Sequence, residues 1–62
     1  MKIDNRKLDL ALARRCKVIT ELRRVVSGQT LTRIRNGEDV KPSTLGLIAR
    51  ELMCDPADIL ED

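Results

Sequence analysis

Gln29, Thr32, Arg33 and Asn36 stand at spacings of three, four and seven, which places four side chains on one face of an α-helix. Together they offer two amides, a hydroxyl and a guanidinium, with no carboxylate among them. A side-chain amide matches adenine N6 and N7, a guanidinium fork matches guanine O6 and N7, and a hydroxyl serves either base edge. The chemistry this set suits is display toward the major groove of a DNA duplex.

Such a display needs a helix with defined ends, and Ser27 through Gly37 spells one. Ser27 is a good N-cap, because its hydroxyl accepts an orphan N–H of the first turn, and Gly37 suits the left-handed residue that follows a helix. Leu31 and Ile34, three apart, form the opposite, apolar face and anchor the segment. The spacing therefore predicts a short helix, apolar on one side and polar on the other.

Around it the rest of the chain reads as four more helices and no strand. Asp4 or Asn5 caps a first helix running through Cys16, with Leu8, Ala11, Leu12 and Cys16 as its buried stripe. Ile19, Leu22 and Val26 suggest a second helix, with Thr20 and Glu21 near its start and a bend near Cys16, Lys17 and Val18. No Gly or Pro separates the two, so one fused helix and an exchanged dimer form the alternative. After the loop Glu38 to Lys41, Pro42 opens a fourth helix with Ser43 or Thr44 as cap. Its stripe is Leu45, Ile48, Ala49 and Leu52, and Gly46 is expected to allow close helix packing. Asp55 caps, and Pro56 begins, a final short helix carrying Ile59 and Leu60.

The chain of 62 residues is read as one domain, 1–62. A chain this short buries only about 60% of its unfolded surface, so association with a second copy would help to stabilise it. With no Phe, Tyr or Trp, the core must be aliphatic. The net charge of +2 conceals a split: residues 1–36 carry ten Lys and Arg against Asp4, Asp9 and Glu21, whereas residues 37–62 carry Lys41 and Arg50 against seven acids. That asymmetry is expected of a protein with one face toward a polyanion. Arg14, Arg15, Lys17, Arg23, Arg24, Arg35 and Lys41 are the candidate phosphate contacts, and Arg50 reads as a plain surface charge.

The same inventory argues against other classes. There is no His, so Cys16 and Cys54 fall short of the four ligands of tetrahedral zinc, and no metal or other cofactor is expected. The two cysteines read as reduced thiols or as one disulfide. No apolar run is long enough for a signal peptide or a membrane span, so a cytoplasmic location is expected, without membrane or small-molecule partners. No His base, activated thiol or Gly-rich phosphate loop supports catalysis. A helical module that grips a protein, such as an antitoxin or anti-repressor, is the rival, with the acidic end Asp55 to Asp62 as its candidate surface.

With these elements in order, the chain resembles the phage repressor and Cro family of helix-turn-helix proteins, the Xre-like domains. Val26-Ser27-Gly28-Gln29-Thr30-Leu31-Thr32-Arg33-Ile34-Arg35-Asn36-Gly37 is similar to the family's V-S-x-x-T-I-x-x-I-x-x-G. Leu45, Ile48, Ala49 and Leu52, followed by Asp55-Pro56 and Asp58-Ile59-Leu60, resemble its fourth and fifth helices. The resemblance implies a compact all-α bundle of five short helices, a lambda-repressor-like domain that binds double-stranded DNA as a homodimer. In it the second helix crosses the backbone and the third enters the major groove. Carried over by position, Gly28 (through its backbone), Gln29, Thr32 and Arg33 would meet bases. Ser27, Thr30, Arg23, Arg24, Arg35, Asn36 and Lys41 would lie near phosphates. The chain departs from the family in having about two residues fewer before Ser27, no turn Gly, and Val18 in place of the usual Thr cap. The shorter turn implies either a tilted third helix or a second helix that gives up a turn.

Overall fold

Asp4 starts the first helix as its sequence suggests: its Oδ1 accepts the backbone N–H of Lys7 at 3.1 Å. In the computed structural model, which describes residues 1–62, helix α1 runs Asn5–Arg14. Leu8, Ala11 and Leu12 form its buried stripe. Cys16 is not part of that stripe. It is exposed and adopts a left-handed conformation, φ 54°, just past the helix end. There the Cys16 N–H reaches Ala13 O at 3.1 Å and the Lys17 N–H reaches Leu12 O at 2.9 Å, the paired bonds of a Schellman stop. This stop removes the fused-helix alternative, even though a non-glycine residue in that conformation costs about 1–2 kcal/mol.

The expected second α-helix is instead a 3₁₀ helix, η1, Ile19–Arg24. Val18 occupies its N-cap and makes no side-chain cap bond, while the Glu21 N–H bonds Val18 O and the Val25 N–H bonds Leu22 O, each at 3.0 Å. A 3₁₀ helix rises further per residue than an α-helix, so it spans the gap between Cys16 and Ser27 with fewer residues. Of the two consequences of a short turn, it is the second helix that gives way.

The third helix follows its written ends. Helix α2, Gly28–Arg35, is capped by Ser27 Oγ, which accepts the Thr30 N–H at 3.2 Å. At its far end Gly37 sits at φ 77°, its N–H on Ile34 O and the Glu38 N–H on Arg33 O, both at 3.0 Å. Helix α3 spans Pro42–Glu51 with Pro42 in the first turn. Its N-cap is Lys41, without a side-chain bond, so Ser43 and Thr44 lie inside the helix instead of capping it. Met53, φ 53°, ends α3 in the same manner as Cys16 ends α1. The final helix, η2, Pro56–Asp58, is 3₁₀ and carries a capping box: Asp55 Oδ1 accepts the Ala57 N–H at 2.9 Å, and Asp58 Oδ2 accepts the Asp55 N–H at 3.1 Å.

The architecture is all-helical, three α and two 3₁₀ elements, tied at one end by two isolated antiparallel bridges, Lys2 with Asp39 and Ile3 with Leu60. These bridges hold the first residues between the loop after α2 and the chain end. They bury Ile3 at 2% exposure in an entirely aliphatic core with Leu8, Leu22, Leu31, Ile34, Leu45, Ile48, Leu52 and Ile59. No helix is long and apolar enough to cross a membrane. Both cysteines are free.

Gly46 does not mediate close packing, because a Cβ built on it meets nothing within 4 Å. It therefore contributes only the backbone freedom that weakens a helix interior. Gly46→Ala is expected to stabilise the chain by about 1 kcal/mol and to raise Tm by roughly 4–8 °C in a circular-dichroism melt. An unchanged or lower Tm would show that the space beside Gly46 is needed.

Candidate nucleic-acid interface

Helix α2 is set by two buried side chains, Leu31 at 8% and Ile34 at 1% exposure. With that side in the core, Gln29, Thr32, Arg33 and Asn36 all face solvent. Thr32 Oγ1 donates to Gly28 O at 3.1 Å, which uses its proton and leaves its lone pairs free. Gln29, Arg33 and Asn36 make no side-chain hydrogen bond or ion pair within the chain, so their donors and acceptors are open.

Between η1 and the start of α2 lies an open concavity of about 610 Å³. Thr20, Arg23, Ser27, Gly28, Gln29, Thr32, Arg35 and Asn36 line it, with Ile19 and Leu31 as its apolar part. The lining contains two arginines and no acid. Arg33 and Thr30 are not in this concavity. They lie on the flank of α2 that meets the following loop, around a smaller hollow of about 230 Å³ shared with Asp39, Val40, Lys41 and Thr44. The expected contact set is thus divided about the helix: Gly28, Gln29, Thr32 and Asn36 on one side of the ridge, Thr30, Arg33 and Lys41 on the other.

The candidate phosphate contacts differ in how free they are. Arg23 makes no ion pair, and Lys41 is exposed beside the Arg33 flank. Arg35 is already engaged: its Nη2 meets Asp9 Oδ1 at 3.0 Å and its Nη1 donates to Asn5 Oδ1 at 3.1 Å. Asn5 Nδ2 in turn donates to Ile34 O at 2.9 Å, so one side chain of α1 holds both the backbone and the guanidinium of the last turn of α2. Arg24 Nη1 is 3.8 Å from Glu51, which also takes Lys17 at 3.3 Å, and Arg24 stays 76% exposed. Ser27 and Thr30 share a hydroxyl hydrogen bond at 2.9 Å. Arg14 and Arg15 lie elsewhere, around a hollow that includes Met53, Cys54 and Asp58.

Asn5, Asp9 and Thr20 carry no site pattern in the sequence. Thr20 lines the same concavity as Gln29, and Asn5 and Asp9 brace the end of α2 from 26 and more residues away. No local pattern announces a brace of that sequence separation. The Cys54 thiol is pushed above its ordinary value, first by burial and then by Asp58, with Arg14 opposing and Asp55 adding, which favours the protonated form over a nucleophilic thiolate.

Three features are therefore combined: a short helix with capped ends, an acid-free concavity beside it, and free hydrogen-bonding groups along its ridge. No curated protein and no solved structure matched the sequence. The family of Cro/C1-type HTH DNA-binding domains matches residues 7–62, nearly the whole chain, and this protein belongs to that family.

Proposed function

We propose that the chain is a small sequence-specific transcriptional regulator, a single domain that binds double-stranded DNA as a homodimer with α2 in the major groove. The observation that carries this reading is the exposed ridge Gln29, Thr32, Arg33 and Asn36, held outward by Leu31 and Ile34, with an acid-free concavity along its Gln29, Thr32 and Asn36 side. Gln29 would pair with adenine N6 and N7, and Arg33 with guanine O6 and N7. Thr32, whose proton is already given to Gly28 O, would accept from a base amino group. The Gly28 backbone lies at the same edge. Ser27, Thr30, Arg23, Arg24, Asn36 and Lys41 would meet phosphates, and Arg35 would do so only by leaving Asp9. Two copies would read half-sites about one helical turn apart.

Selection from a random duplex pool tests this directly. The expected result is an enriched, palindromic sequence for which the logarithm of the binding constant falls linearly with the logarithm of salt concentration. Failure to enrich any sequence, with weak salt dependence, would favour a protein partner instead.

A further inference from the structure

Gly28 is the first residue of α2, at the end of the ridge that faces the concavity, and it offers no side chain there. The space is nevertheless occupied. A Cβ built on Gly28 would lie 2.9 Å from Arg23 Nη2, 3.4 Å from Nε and 3.5 Å from Cζ, so the guanidinium of η1 covers the position from which a side chain of α2 would project. Arg23 belongs to η1 and stands five residues before the start of α2.

Arg23 is a basic residue in the last turn of η1, which suits that helix's dipole, but its guanidinium reaches over the first residue of α2. The positive end of a helix dipole is an unfavourable site for a cation, and no carboxylate pairs with Arg23 there. Arg23 lines the same concavity as Gln29 and Thr32. We propose that Arg23 is a specificity-determining residue, standing in for the side chain that Gly28 lacks and reading a guanine adjacent to the base pair met by Gln29. The inference rests on the DNA-binding reading above. It replaces a uniform phosphate role for Arg23 with a base-specific one, because a guanidinium fork matches guanine O6 and N7 in two parallel bonds that an ammonium cannot reproduce.

Selection from a random duplex pool is run with the unmodified chain and with Arg23→Ala, Arg23→Lys and Gly28→Ala, each first checked for an unchanged helical spectrum and melting curve. The unmodified chain is expected to enrich guanine at one position per half-site. Both Arg23 variants are expected to lose that preference by about 5- to 150-fold while the other positions keep theirs. Gly28→Ala, which forces the guanidinium aside, is expected to weaken the same position. Arg23→Ala that weakens binding to every sequence alike, with Arg23→Lys restoring it, would assign Arg23 to a phosphate and overturn the proposal. An unmodified chain that enriches no sequence overturns the DNA-binding reading itself, an outcome distinct from an enriched sequence that Arg23 does not alter.

Discussion

Ile34→Ala is expected to unfold much of the chain at physiological temperature and to abolish duplex binding with it. Ile34 is 1% exposed, and its backbone carbonyl takes both the Gly37 N–H and the Asn5 side chain. Truncating a fully buried isoleucine removes about 2–5 kcal/mol. A domain of this length holds roughly 3–9 kcal/mol in total, so the loss is comparable to the whole. Leu47→Ala provides the control, since Leu47 lies on α3 at 43% exposure and should change the melting curve little. Thermal melts followed at the helical signal distinguish the two. An Ile34→Ala chain melting with the parent would mean that α2 is not anchored through this side chain.

The second large effect concerns which sequence is bound. Arg33→Ala is expected to lose about 1–3 kcal/mol of discrimination at one base pair of each half-site, and Gln29→Ala a similar amount at another. Because Gln29 borders the concavity and Arg33 the hollow beside Lys41, the affected positions should differ. Arg24→Ala should instead weaken all sequences alike and lower the salt slope by about one, as a phosphate contact would. Its 76% exposure and 3.8 Å approach to Glu51 leave little stability to lose. Competition binding against single-position variants of the selected duplex separates these patterns, and a uniform loss in Arg33→Ala would place that residue on the backbone.

What could be read from sequence follows from which signals are local. The α2 segment has both ends written in residue types, Ser27 as hydroxyl cap and Gly37 as left-handed stop, and its register follows from Leu31 and Ile34. The stripe of α3 and the Asp55 cap of η2 are legible for the same reason, while the return bond from Asp58 appears only in the structure. Cys16 and Met53 are not, because they perform a glycine's task without being glycine, so the end of α1 carries no mark. The change of η1 from α to 3₁₀ depends on the distance it must span, a property of the packed whole. Ile3 could have been found as the apolar residue before an N-cap with Leu8 at the fourth helical position, the pattern of a hydrophobic staple. The Asn5 and Asp9 brace on Arg35 and the Arg23 guanidinium over Gly28 arise only when separate elements meet.

If the reading above holds, the ridge of α2 is the surface that DNA touches. Titrating the selected duplex into isotopically labelled protein and following backbone amide shifts tests it most directly. The largest changes are expected from Ser27 to Asn36 and around Lys41, with residues Asp55 to Asp62 little affected. Shifts concentrated on that acidic end, with α2 silent, would contradict it.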